Sequence, residues 1–459
     1  MKQLTRRQFV TGVAGAGLAG ATGLTVASRP WDASPGDAAQ RSAARSTAAA
    51  RSSAPDGDGI VVMVGMYGGN DGLNTVIPYQ DSAYVAGRTG LAYQPDQVIP
   101  LADGLALNPS LSGFKTLWDA GHLAIVRGVG YPMPVLSHFR SMAIWQAGSP
   151  DAAVATGWLG RWLDATGDSP LRAVGIGPTL PPALVGAKAS AAAVPTGPMV
   201  LPGGALFRQD YATLEHPTNA EAQLIGQVAR SGTDLLTVQA AVTKALAAVP
   251  ATLPSTTLPS TTLPNTTLPN TTLPSSTASS ATAPTSTTPG AGAPYKPTGG
   301  GQLAPQLEVV SRLIKAGFPA RAYFVSLASF DTHVNEKAEQ ARLLADLDTG
   351  VSGFLASLAG DPKGEKVVVA TFSEFGRRVA GNASGGTDHG TAAPLFVAGL
   401  GVKGGAFYGE EPSLTALDSD GNLKFNMDFR SVYATLLGHV LGYESTSLLG
   451  ARFPTIPFL

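Results

Sequence analysis

Asp331-Thr332-His333, Ser373-Glu374-Phe375-Gly376-Arg377 and Asp388-His389-Gly390 each border an apolar, β-branched run in the last third of the chain. Gly68-Gly69-Asn70-Asp71 follows the first such run. Carboxylates and imidazoles carried just past strand ends are side chains that bind cations, and they suit a metal centre assembled from distant segments. Alternate residues of an extended segment point the same way, so Asp331 and His333 could ligate one ion; a helix-start cap by Asp331 or Thr332 is the competing reading. Asp71 is either a strand-end ligand or the cap of a tight turn. Glu374 could be a ligand or a base and Arg377 could grip an anion with two donors, against the plainer reading of a Glu–Arg ion pair.

The chain has six histidines. His333 and His389 each combine a nearby aspartate, Asp331 and Asp388, with a strand edge. His122 and His439 have neither, and His216 lies in a polar stretch. His138 follows Ser137, a pairing that suggests nucleophilic chemistry. Neighbours on a strand face opposite ways, however, so a metal would activate Ser137 better than His138 would. With no cysteine in the chain, disulfides and thiolate ligands are excluded, and any metal is held by His, Asp, Glu or a hydroxyl oxygen.

These side chains need a sheet behind them. Short apolar runs without strict alternation predict strands at 59–66, 123–128, 321–327, 366–372 and 394–398, as expected for a sheet buried on both faces. Helical spacing of Leu307, Val310, Leu313 and Ile314 predicts a helix over 303–316. Ala341, Leu344, Leu347 and Phe354 do the same over 336–358, and a further helix near 427–441 would be capped by Asn426 or Asp428. Strand, helix and strand across 321–372 make a βαβ unit, hence an α/β fold with a mostly parallel central sheet and helices on both faces.

Not all of the 459 residues belong to that fold. Thr5-Arg6-Arg7-Gln8-Phe9-Val10, with the weakly apolar Gly/Ala-rich stretch up to Ser28, matches a twin-arginine export signal (1–28), which implies a periplasmic, cell-envelope or secreted protein touching the membrane only in transit. Residues 29–58, rich in Ala, Ser, Arg and Asp, are expected to be a flexible spacer. From Thr252 the unit Thr-Leu-Pro-Ser/Asn-Thr repeats, and Ser/Thr/Pro/Gly composition continues to Gly301. Proline every fifth residue blocks helix and sheet pairing, so 251–301 is expected to be a disordered surface insertion. It would split one α/β domain into 59–250 and 302–459. At 44% hydrophobic, 14% charged and a formal net charge of -1, the rest is globular in composition, with no electrostatic case for nucleic acid.

The ordered set GGNDGLNTVIPY, LSHFRSMAIWQAG, GWLGRWLD, FDTH, TFSEFGRRV and GTDHGTAAPLFVAG closely resembles the twin-arginine-exported family called domain of unknown function 1501. That family in turn resembles a branch of the alkaline phosphatase and sulfatase superfamily. The resemblance implies an alkaline phosphatase-like fold and a divalent metal, one ion or two. Zinc is favoured by the two imidazoles, while calcium or manganese would tolerate a carboxylate-richer set. It makes Asp71 the first aspartate and Ser137 the nucleophile, and it gives Asp331, His333 and His389 one metal. Phe375 stands where a second-site histidine is expected, so the second site would rest on Asp71 and Glu374, with Asp388 orienting His389 or ligating in its place. The implied activity is hydrolysis of, or transfer from, a small phosphate or sulfate ester, with Arg377 or Arg140 neutralising substrate oxygens. Two alternatives remain open: a non-catalytic cell-envelope or binding protein that keeps the fold, and a purely structural metal.

Overall fold

The computed structural model describes residues 57–151, 153–189, 191–199, 223–251 and 303–459. The export motif, almost all of the spacer, His216 and nearly the whole Thr/Pro-rich insertion lie outside the described residues.

The five runs expected as strands are strands. In chain order, β1 is Ile60–Met66, β2 Leu123–Gly130, β3 Ala173–Ile176, β4 Ala192–Val194, β5 Ala322–Leu327, β6 Val367–Phe372, β7 Arg377–Gly381, β8 Thr387–His389, β9 Ala393–Ala398, β10 Ala406–Tyr408 and β11 Met427–Asp428. Nine of these form one sheet in the order β10-β2-β9-β6-β1-β5-β3-β4, with β11 also paired to β2. At its centre β1 lies parallel to both β5 and β6, with Val61 opposite Ala322 on one side and Val368 on the other. Strands from before and after residues 252–302 therefore share one hydrogen-bonded ladder. β9 is the exception, antiparallel to both β6 and β2, so β2 runs the same way as β6.

Helices cover both faces. Val62, Val64 and Tyr323 pack with α1 (Ser112–Asp119), α4 (Gln223–Ala248), α5 (Leu303–Lys315) and α6 (Glu336–Ser357) on one side. The alternate residues Val61, Met63 and Phe324 pack with α2 (His138–Ala147), α3 (Trp158–Thr166) and α7 (Phe429–Thr435) on the other. Because strand side chains alternate, burial on both faces explains why these strands are unbroken apolar runs. The last of the expected helices starts where Asp428 accepts from Arg430 N at 2.9 Å, as a cap does, and continues past α7 into a π-helix over Leu436–Val440.

Parallel strands deliver all their C-terminal ends to one edge. β1, β5 and β6 end there side by side, and so does β2, whose loop leads into α2. The small antiparallel pair β7–β8 follows β6 and sets Arg377 opposite His389. An α/β sheet places its chemistry at this edge.

Candidate metal centre

Each strand end hands over its side chains through a turn dictated by local sequence. After β1 the chain reverses at Gly68 and Gly69, with φ of +120° and +76°. A Cβ on Gly68 would lie 2.4 Å from Asp331 N, and one on Gly69 would lie 2.4 Å from the Phe375 ring, so only glycine lets the loops after β1, β5 and β6 approach this closely.

Where those loops meet, His138, Asp331 and His389 present one ligand atom each, all within 4.8 Å of one another. Asp331 is the hub. Its Oδ1 is 3.2 Å from His389 Nε2 and 3.0 Å from His333 Nε2, and its Oδ2 is 3.3 Å from His138 Nε2. His333 lies against the triad, its Nε2 3.0 Å from that of His389. Three histidines, from the start of α2, the segment after β5 and the end of β8, thus turn Nε2 toward one carboxylate.

Their other ring nitrogens are held from behind. His138 Nδ1 donates to Glu374 Oε1 at 2.8 Å, and His389 Nδ1 donates to the Leu136 carbonyl at 2.9 Å. His333 Nδ1 lies 3.4 Å from Asp388 Oδ1. A ring whose Nδ1 carries the proton keeps a lone pair on Nε2, which is how metal-binding histidines are oriented. Phe375 walls the site: its ring centroid is 4.8 Å from that of His138 and 4.7 Å from that of His389.

The arrangement passes a chemical test for a cation. His138 Nε2 is buried without a hydrogen-bond partner. Donors 2.0–2.1 Å from one tetrahedral zinc would be about 3.3 Å apart; within the triad, His138 Nε2 is 3.3 Å from Asp331 Oδ2 and His389 Nε2 is 3.2 Å from Oδ1. The electrostatics agree. Burial opposes charge on His138, but the hydrogen bond and charge of Glu374, with Asp331, outweigh it and raise its pKa. Burial likewise opposes ionisation of Asp331, yet the hydrogen bond from Arg377, with the neighbouring His389 and the charge of His138, holds its carboxyl down at about 2. His389 is shifted the other way, kept neutral chiefly by burial. The site also reaches solvent, the side chains of Asp331 and His333 being 47% and 40% exposed.

Several expected residues have other occupations. Arg377, expected to meet substrate oxygens, is fully buried: Nε donates to Gly69 O at 2.7 Å, Nη1 to Thr387 O at 2.9 Å, and Nη2 to Asp331 Oδ1 at 2.8 Å and to the carbonyls of Gly68 and Phe330. Its fork knits the loops and fixes Asp331. Arg140, the other candidate, donates to Pro150 O at 2.5 Å. Glu374, expected as a ligand, is buried with Oε1 taken by His138 and by Gly68 N at 2.9 Å. Asp388 faces His333 rather than His389 and is exposed.

Asp71 stands apart from the triad. It caps the short helical turn Gly72–Asn74 and is ion-paired with the buried Arg88, whose Nη2 donates to Oδ1 at 2.8 Å. Burial of Asp71 is more than offset by Arg88, which leaves its pKa lowered. Beside it, burial together with the Asp71 charge pushes Glu336 up to about 9, so Glu336 is a neutral acid hydrogen-bonded to Asp71, and it also accepts from the Thr387 hydroxyl. Ser137 occupies the N-cap of α2, exposed and making no cap hydrogen bond.

His138 is the side chain whose place the sequence hides. It opens a helix instead of following its neighbour along a strand, and Pro132 and Pro134 just before it were the available signal for a loop.

Residues 280–450 match the family described as Protein of unknown function (DUF1501), the family its motifs resemble. No curated protein matches the chain. Among solved structures, the lipoteichoic acid synthase LtaP from Listeria monocytogenes is similar at 7% identity and a TM-score of 0.34, over 85% of this chain and 74% of that one. Ps i-CgsB is similar at 8% identity and a TM-score of 0.33, over 86% and 73%. At such scores no residue role passes from those proteins to this one.

Proposed function

We propose that this chain is an exported metal-dependent hydrolase of phosphate or sulfate esters, with zinc held by His138, Asp331 and His389. The observation that carries the reading is the convergence of His138, Asp331 and His389, with both imidazoles tied at Nδ1 and turning Nε2 toward Asp331. When bound, the cation would polarise the ester and stabilise negative charge on its oxygens. Glu374 and the Leu136 carbonyl hold the two rings in the ligating tautomer, and Arg377 keeps Asp331 ionised. Phe375 excludes water from one side. Ser137, one residue ahead of His138 with a hydroxyl not engaged by the helix, is the nucleophile. His333, backed by Asp388, takes the proton released by the Ser137 hydroxyl as it attacks and passes it to the leaving alcohol, and water then cleaves the serine ester. Two full metal sites are not part of this reading, because Asp71 is engaged by Arg88 and Glu374 by His138.

A structural metal is the second reading, favoured by His333 as a fourth donor beside the triad. Closed structural sites surround the ion with four protein ligands; the solvent-facing Asp331 and His333 argue for a position left open to substrate. Export rests on the Arg6-Arg7 motif alone; among the described residues no helix is long and apolar enough to cross a membrane.

The test is metal analysis of the purified protein followed by a panel of phosphomonoesters, phosphodiesters and sulfate esters. One equivalent of zinc and turnover of at least one ester class supports the reading. A protein that takes up no divalent metal and turns over nothing ends it.

A further inference from the structure

Of the described residues, four large apolar side chains are exposed, Val85, Met133, Phe139 and Val334. Three of them border the metal centre. Phe139 is 64% exposed and follows His138, Val334 is 65% exposed and follows His333, and Met133 is 84% exposed in the loop whose Leu136 carbonyl holds His389. Scattered apolar residues on a surface mean little, but three on the segments that build one site point to a binding surface.

Two residues of these segments also have left-handed backbone. Met133 has φ +53° and Asn335, beside Val334, has φ +51°. Left-handed backbone favours glycine, and strain of this kind collects at sites held in shape for use. A glycine at position 133 would carry none of that strain; the chain instead holds a methionine there and turns it to solvent.

We infer that the ester hydrolysed here is amphiphilic, with a hydrocarbon chain joined directly to the anionic group. The inference rests on the hydrolase reading above. A cation centre attracts the anion, and the apolar rim starts one residue away from two of its imidazoles, within about 3.8 Å along the backbone. Hydrocarbon reaches Phe139 and Val334 only if it begins next to the ester.

The experiment measures binding of non-hydrolysable methyl, butyl and octyl phosphonates to the zinc-loaded full chain by calorimetry, below their critical micelle concentrations. The expected result is tightening of about twofold per methylene, half the transfer free energy of a fully buried one. A Met133→Ser/Phe139→Ser/Val334→Ser variant, its fold and zinc content checked separately, loses that gradient. Val85→Ser, at the exposed apolar residue of the short helix Ser82–Gly87, keeps it. Methyl and octyl phosphonates bound equally by the wild type overturn the inference and leave the hydrolase reading intact. Binding that appears only above the micelle concentration overturns it in favour of a lipid surface. Failure to bind zinc or any phosphonate overturns the hydrolase reading and this inference together.

Discussion

Glu374 accepts a hydrogen bond from His138 Nδ1 at 2.8 Å, and the same oxygen accepts from Gly68 N at 2.9 Å. One buried carboxylate thereby sets the tautomer of an imidazole that arrives from the other end of the chain. Glu374→Leu is expected to weaken zinc binding about 10- to 100-fold, and Glu374→Gln, which still offers an oxygen, to weaken it less. Competition against a chromophoric chelator measures both. Equal affinity in all three proteins would show that His138 needs no such support.

Asp331→Ala and His389→Ala remove donors, and zinc content is expected to fall below one equivalent in each. His333→Ala is expected to keep its zinc while losing about 10²- to 10⁴-fold in kcat, the range for a lost proton donor. Elemental analysis beside steady-state kinetics separates the two groups. Loss of zinc from His333→Ala would move that residue among the ligands.

Ser137→Ala is expected to lower kcat by at least about 10³-fold without changing zinc content. Transfer to an added alcohol acceptor should vanish with it, since transfer needs a covalent serine ester. An undiminished Ser137→Ala enzyme would assign the attack to water.

Arg377 satisfies the carbonyls of Gly68, Gly69, Phe330 and Thr387 besides holding Asp331. Arg377→Met leaves those buried acceptors unpaired and is expected to cost about 3–5 kcal/mol of stability. Chemical denaturation measures it. A stable Arg377→Met protein with only a raised KM would return Arg377 to the role of substrate clamp.

Glu336 gives a pH prediction. Its pKa is pushed from 4.5 to about 9 by burial and by Asp71. Below the lower value the acid is protonated in folded and unfolded chains alike, and it costs nothing. Between the two values only the unfolded chain releases the proton, so stability falls as pH rises and levels off above the upper one. Asp71, with its pKa lowered by Arg88, contributes in the opposite sense: its stabilisation is present above 3.8 and is lost in more acid solution. Thermal melts from pH 5 to 9 should show a declining midpoint, and Glu336→Gln should flatten the decline. An unchanged slope in that variant would place the titration elsewhere.

The sheet was legible because its central strands are long β-branched runs, whose types suit a sheet buried on both faces. β3 and β4 escaped notice, being short and rich in Ala and Gly, as did the pair β7–β8, whose Arg- and Asp-bearing strands lie off the main sheet. Within the site, Asp331, His333 and His389 were legible from their place beside strands. Glu374 and Arg377 were visible as residues but not as roles, because burial decides whether a charged side chain meets ligand or protein. Asp71 looked like a strand-end ligand since its partner, Arg88, stands 17 positions on, at the end of a separate short helix.

β1 has its two neighbours far along the chain, Val61 meeting Ala322 on one side and Val368 on the other. A ribosome releases β1 long before either partner exists, so the central ladder closes late and its apolar strand waits unpaired. Loop length itself adds little to the entropic cost of that closure, which grows only as its logarithm, so a long Thr/Pro tract between the halves is tolerated. The burden falls on timing. No nascent fragment ending before residue 389 carries all three of His138, Asp331 and His389, so the three side chains can meet only after both later segments have been made.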